Sequence, residues 1–330
     1  MATDTTLSIE PDGQTAAPGT WAALSVVYVL WGSTYLGIAI VVEQLPPLLS
    51  AASRFGAAAL ILVLIVTIRS GWRRLKITRQ QLAGTALIAL LLPVAGNGAV
   101  SLAERYVPSS LSALLVSIVP VWIVLIRRFS GQRPARATWL GVGFGLVGVV
   151  GIVATTGSQD PSPGTGYVDV SGWLVAFWLI AVALGSLSWA FGSFISPSLA
   201  NQERLPSDAL ASTAWQMGLA GIILAVLGFG SGESVTAFGQ MTGRTIAAWI
   251  FITVAVVAAY GCYVWLLQNA PVSLVSTYAY VNPVVAVFLG WLLLDEPMNP
   301  ALLGVAVLVL IGVVLVVRGE SRVKPPPPDQ

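Results

Sequence analysis

The chain has 330 residues, 56% of them hydrophobic and only 9% charged, with a mean hydropathy of +0.84, whereas a soluble domain carries about 25% charged residues. A net charge of +2 spread over 16 basic and 14 acidic residues leaves no polybasic field for nucleic acid. With no histidine and a single cysteine, Cys262, the composition excludes intramolecular disulfides, His/Cys metal sites and histidine acid–base chemistry, and no cofactor is expected.

One membrane-spanning helix takes roughly 20 apolar residues, so ten of them use about 200 and leave no separate soluble domain. Residues 1–19 contain Asp4, Glu10 and Asp12, no basic residue and no apolar core, and read as a disordered cytoplasmic tail and not as a cleavable signal peptide. The first span, 21–42, carries Trp31, Ser33 and Tyr35. The second, 46–68, carries Arg54, the one charge well inside a span. An intramembrane charge is costly and marks a functional position by default: Arg54 is expected to bind a substrate carboxylate or to pair with Glu104 or Glu43 as a gate, against a structural lock on backbone carbonyls. The third span, 81–103, is weakened by Gly96 and Gly98 around Asn97, and Glu104 and Arg105 beyond it read as a solvated interfacial pair. The fourth, 108–126, contains Pro120, which removes one helical hydrogen bond and frees the Val116 carbonyl. The fifth, 137–155, carries Gly141, Gly145, Gly148 and Gly151 along one stripe, suited to close packing within the bundle or, more weakly, to a homodimer seam.

The polar stretch 158–170 forms the longest loop and the midpoint, dividing a five-helix repeat at 20–157 from a second at 171–318. The sixth to tenth spans fall at 172–195, 209–229, 245–267, 271–294 and 299–317. They carry Trp189, Tyr260, Tyr263, Tyr278 and Asn282, together with Pro283, which frees the Ala279 carbonyl. Deep aromatic rings with a few hydroxyls suit an amphipathic ligand, although each ring alone is more often helix packing. Trp21, Trp72, Trp139 and Trp173 sit near span ends as interfacial anchors. Residues 319–330, ending in Pro325 to Pro328, form a second disordered cytoplasmic tail.

Two patterns organise the spans. With the N-terminus inside, 13 of the 16 basic residues fall in cytoplasmic segments, placing both termini in the cytoplasm. Pro108, Pro120, Pro134 and Gly141 recur 163 residues later as Pro271, Pro283, Pro297 and Gly304, and Trp31 corresponds to Trp189 at an offset of 158. Five helices per repeat force the second copy to enter from the opposite side. The charges agree: Arg127, Arg128, Arg133 and Arg136 follow the fourth span, whereas Asp295 and Glu296 follow the ninth. Inverted repeats suit alternating access around a midplane site, where the paired helix breaks Gly96, Gly98, Pro120 and Pro283 are expected to act as hinges and to line the path.

Trp31-Gly32-Ser33-Thr34-Tyr35, Arg54-Phe55, Gly96-Asn97-Gly98, Ala103-Glu104-Arg105, Val107-Pro108-Ser109, Ser188-Trp189-Ala190-Phe191-Gly192-Ser193 and Ser276-Thr277-Tyr278-Ala279-Tyr280-Val281-Asn282-Pro283 follow one another in order. Together they resemble the drug/metabolite transporter superfamily, its ten-helix EamA-type permeases and their YedA-like branch. The resemblance implies a multi-pass exporter of small metabolites such as amino acids, or of toxic compounds, in the cytoplasmic membrane, with a cavity between two inverted halves. Four-helix relatives in the superfamily couple efflux to protons through a glutamate in their first helix. The first span here has no acidic residue, which favours facilitated export or exchange.

The candidate substrate-binding set is therefore Trp31, Ser33, Tyr35, Arg54, Asn97, Trp189, Tyr260, Tyr263, Tyr278 and Asn282. The expected partners are a small-molecule substrate and the lipid bilayer, with the chain a monomer or a homodimer. Uptake or organic-phosphate exchange is the alternative within transport, but it calls for several deep basic residues where this chain has Arg54. A membrane enzyme is disfavoured because no nucleotide loop or metal-ligand cluster is present, and a non-transporting structural or receptor protein leaves the duplication without a purpose.

Overall fold

In a computed structural model the described residues are 18–106, 112, 115–156, 172–294 and 301–320, and among them the chain is helical with no strand. The helices are α1 (Pro18–Val42), α2 (Pro47–Ser70), α3 (Arg79–Ala103), α4 (Val119–Phe129), α5 (Arg136–Thr156), α6 (Gly172–Asn201), α7 (Ala209–Gly230), α8 (Gly243–Asn269), α9 (Tyr278–Leu294) and α10 (Ala301–Glu320). Six of them, α1, α2, α3, α6, α7 and α8, are each long and apolar enough to cross a membrane. Their outer faces are apolar: Leu60, Leu64 and Ile68 stand out from α2, Ile222 and Val226 from α7, and Ile250 and Val254 from α8. Lipid can solvate these faces where water would not. Trp21, Trp72, Trp139 and Trp173 are all exposed, as interfacial anchors must be. Most of the two tails, the midpoint loop, Pro108 and the 295–297 acidic loop with Pro297 lie outside the described residues.

Helix starts follow capping chemistry. Thr78 and Gln81 cap α3 reciprocally, and the side chains of Asp208 and Thr242 accept from backbone N–H groups in the first turns of α7 and α8. Pro46 leaves α2 without a side-chain cap of its own. Glu233, from the loop after α7, supplies one instead, its carboxylate accepting from the N–H groups of Leu48 at 3.1 Å and Leu49 at 2.7 Å. Gln44, beyond α1, accepts in turn from the Thr242 N–H at 3.1 Å and the Thr245 hydroxyl at 2.5 Å. These contacts clamp the α1–α2 and α7–α8 connections together at one end of the bundle.

Packing is reciprocal between the halves. α2 lies along α7 and α5 along α10, while α1 packs on α8 and α9 as α6 packs on α3 and α4. The first two pairings join equivalent helices of the two repeats, and the contacts of α1 are repeated by its equivalent α6. The α5 stripe is used inside the chain: a Cβ at Gly141 would stand 2.6 Å from the Gly312 carbonyl oxygen of α10, and one at Gly145 would stand 2.8 Å from the Tyr280 ring. Close backbone approach explains these two glycines.

Both third helices change geometry midway, widening to π turns at Leu90–Asn97 in α3 and Val256–Tyr260 in α8. In α3, Pro93 cannot donate to the carbonyl four residues back, and the helix accommodates it by the wider turn. Asn97 and Tyr260, which end the two segments, are 163 residues apart, as are the glycines that follow, Gly98 and Gly261.

The fourth span differs from expectation. Continuous helix begins only at Val119, after a turn at Ser117 and Ile118, so Pro120 stands in the first turn of α4, where its missing N–H costs nothing. In the second half a one-turn helix, Val272–Val275, is followed by a turn at Ser276 and Thr277 before α9 starts. Pro283 does lie inside α9, but the freed Ala279 carbonyl does not face a cavity: the Ser117 hydroxyl donates to it at 2.7 Å. The break before α4 thus satisfies the break in α9.

Candidate functional site

The faces of α1, α2, α3, α4, α6, α8 and α9 that turn towards the centre enclose a cavity of about 80 Å³. Its walls are Trp31, Thr34, Tyr35 and Ile38 of α1, Arg54 and Phe55 of α2, Pro93, Gly96, Asn97 and Val100 of α3, and Val119 of α4 with Val116 just before it. Gly185, Ser186 and Trp189 of α6, Val256 and Tyr260 of α8, and Tyr278 and Asn282 of α9 complete it. Both π segments contribute, so the wide turns bring Asn97 and Tyr260 to the same space from opposite halves. The volume holds several waters.

One wall is an aromatic box. The Trp31 ring lies 5.4 Å from Trp189, 4.9 Å from Tyr263 and 4.8 Å from Tyr278, edge-on or tilted in each case, geometry that the ring quadrupoles favour. Trp189 presses against α3 where a Cβ at Gly96 would come within 2.6 Å of its ring, which is why the small residue is needed there. The Trp189 indole donates to the Tyr263 hydroxyl at 2.8 Å, and Ser193 shares a hydrogen bond of 2.6 Å with the same hydroxyl. Tyr263 and Ser193 lie about one turn beyond Tyr260 and Trp189 towards the C-termini of α8 and α6. Between those ends and the end of α4 is an open recess of about 1040 Å³, lined in part by Gln132, Gln202, Arg204 and Asn269. The Trp189, Tyr263 and Ser193 chain separates this recess from the cavity.

The opposite wall carries charge. Arg54 is 2% exposed, and its Nη2 donates to the Asn97 Oδ1 at 2.6 Å, while its Nε has no partner. The equivalent contact recurs in the second half, where the Tyr260 hydroxyl donates to the Gln216 Oε1 at 3.0 Å. Gln216 stands where Arg54 stands if Ser50 to Gly56 is laid on Ser212 to Gly218. The repeats therefore build the same link twice, between the second helix and the end of the π segment, and only one copy is charged.

The structure gathers Trp31, Tyr35, Arg54, Asn97, Trp189, Tyr260, Tyr278 and Asn282 around one cavity. Ser33 is not among the walls, and its hydroxyl donates back to the Leu30 carbonyl, while Tyr263 stands behind the box as a support. Asn282, with its amide turned to suit its neighbours, donates to the carbonyls of Tyr278 at 3.0 Å and Tyr28 at 3.3 Å. Of the paired helix breaks, Gly96 borders the cavity and Gly98 begins the α-helical end of α3, while Pro120 and Pro283 lie outside its walls. Glu43 is exposed at the end of α1 and faces no cation in the core.

Glu104 departs most from expectation: it is 4% exposed, not solvated, while Arg105 beside it is exposed. Sequence reasoning also passed over Thr34, Ser186 and the apolar walls Val100, Val116 and Val119, which carry no signal of their own. Gln216 could have been found from the Arg54 alignment.

A family model for the EamA-like transporter family matches residues 19–154 and again 176–318. The chain belongs to the EamA-like transporter family. It is 33% identical over 301 residues to the uncharacterized inner membrane transporter YedA of Escherichia coli strain K12, covering 91% of each chain. It is 26% identical over 298 residues to the uncharacterized transporter YvbV of Bacillus subtilis strain 168, covering 89% of this chain and 90% of that one, and 24% identical over 300 residues to YoaV of the same strain, covering 90% and 96%. A solved crystal structure at 18% identity superposes with a TM-score of 0.72, covering 92% of this chain and 98% of its own, a likeness of fold alone. This EamA-like chain is accordingly a multi-pass transporter of the inner membrane, built from two copies of one repeat.

Proposed function

We propose that this EamA-like protein exports small metabolites, amino acids or related compounds and amphipathic toxic molecules among them, by alternating access between two inverted five-helix repeats. The reading takes ten spans with both termini in the cytoplasm and the central cavity as the substrate site. The observation that carries it is the cavity itself, walled by both halves, with an aromatic box on one side and the buried Arg54 and Asn97 pair on the other. Rings offer apolar faces to a side chain, and a guanidinium offers a fork to a carboxylate. Reciprocal packing of equivalent helices supports a rocking exchange, since each contact one half makes has a counterpart available to the other. Trp31, Tyr35, Arg54, Asn97, Trp189, Tyr260, Tyr278 and Asn282 are the substrate-contacting candidates, and the π segments of α3 and α8 serve as hinges. Arg54 is the one cation among the cavity walls, and this favours the export reading over phosphate exchange, which needs several.

The test is efflux of a preloaded panel of labelled amino acids and cationic drugs from proteoliposomes, beside a Trp31→Ala/Asn282→Ala double variant. Selective efflux that falls at least tenfold in a variant of unchanged fold is the expected result. Efflux of a panel member at an equal rate from both proteins would remove the cavity from the transport path.

A further inference from the structure

We infer that Glu104 is a proton-binding site, holding its carboxyl group neutral in the closed conformation and exchanging its proton with the solution at the adjacent end of α3. Glu104 caps the C-terminus of α3, one residue beyond the membrane-spanning stretch, and is 4% exposed. Neither carboxyl oxygen has a hydrogen-bond partner. An ionised carboxylate buried without donors is among the costliest arrangements in a protein, whereas the protonated acid carries no net charge to desolvate.

The surrounding groups are few. α2 contributes Arg54, which interacts with Glu104 electrostatically but spends its Nη2 on Asn97, two turns back along α3 and about 10 Å away. α1 contributes the hydroxyl of Tyr35. α6 faces this end of α3 with Trp178 and Val182, neither of which titrates. On its own segment, Arg105 points to solvent and Tyr106 stacks on Trp178 with 5.3 Å between ring centres. Among the described residues none donates a hydrogen bond to the Glu104 carboxyl group.

The unpartnered Arg54 Nε completes the device. When water reaches Glu104, the carboxyl O–H breaks, its proton leaves to the solution and the carboxylate accepts from the Arg54 Nε, while the Nη groups stay beside Asn97 for a substrate carboxylate. Reprotonation releases the Nε. Its use in driving transport rests on the proposed export reading, but the protonation itself does not.

Infrared difference spectra of the full-length protein in liposomes at neutral pH, wild type minus Glu104→Gln, test the protonation directly. The expected result is a protonated-carboxyl C=O band, shifted in D2O, that is present in wild type, lost in Glu104→Gln and kept in the exposed-carboxyl control Glu43→Gln. Glu104→Asp, which keeps the acid, should move the band without abolishing it and covers a failure of the glutamine variant to fold. In flux assays, acid outside should speed wild-type efflux of a transported amino acid several-fold, and Glu104→Gln should lose that response. Absence of the band, or an acid response unchanged in Glu104→Gln, overturns the inference. If no panel member moves at all while the band is found, the export reading fails and the proton site stands.

Discussion

A guanidinium in the membrane persists only where something accepts its protons. Arg54 meets that condition with one strong acceptor, the Asn97 amide oxygen, inside a cavity walled mostly by rings and aliphatic groups, with Thr34, Ser186 and Asn282 among them. A substrate carboxylate arriving there would take the remaining donors, a charge-assisted bond contributing about 1.5–3 kcal/mol. Arg54→Gln is therefore expected to raise KM for carboxylate-bearing substrates roughly ten- to a hundredfold and to leave uncharged substrates almost untouched, measured as initial efflux rates in proteoliposomes. A uniform loss for both classes would make Arg54 a structural lock. Its place at the cavity was suggested by one feature of the sequence, a charge in the middle of an apolar run. Glu104 was not legible, because a carboxyl group at a helix end reads as solvated until the neighbouring helices are placed around it.

The helices show how a local weakness is settled by a distant partner. Pro283 frees the Ala279 carbonyl, and Ser117 of the other half satisfies it. Ser117→Ala leaves a buried acceptor unpaired, which costs about 1–3 kcal/mol. Ser112 is just as buried, but its hydroxyl has no partner to lose. Thermal unfolding in detergent should therefore show a clear drop for Ser117→Ala and little change for Ser112→Ala, and equal shifts would mean that the bond to Ala279 contributes nothing. The proline positions were readable in the sequence. Which breaks stay open and which are capped was not, because the cap comes from a residue 162 positions away. The same holds for the π turns: Gly96 and Gly98 announced a weak segment, but only the backbone shows that α8 widens at the equivalent place without a proline.

At the scale of the whole molecule, α2 meets its equivalent α7 and α5 its equivalent α10, and two connections are clamped at one end by Glu233 and Gln44. The proposed topology puts that clamp outside the cell and the arginine-rich connection after α4 inside it. In a Cys262→Ser background, Thr236→Cys should react with an impermeant maleimide on intact cells, and Arg133→Cys should react only after permeabilisation. The reverse pattern would invert the molecule, and reaction of both from outside would dissolve the inverted repeat.

Composition alone determined that this chain lives in a membrane, because a bilayer rewards apolar length whatever its partners. The order of motifs and the 163-residue recurrence determined its family and its duplication, because those are properties of the string. The tertiary structure decided which of the deep polar residues meet. It set Arg54 on Asn97, gave Tyr260 to Gln216, turned Ser33 back on its own helix and buried Glu104 without a donor. Hydrogen bonds and desolvation act over a few ångströms in space, and in a helical bundle the groups that share those few ångströms lie dozens to hundreds of residues apart in the chain.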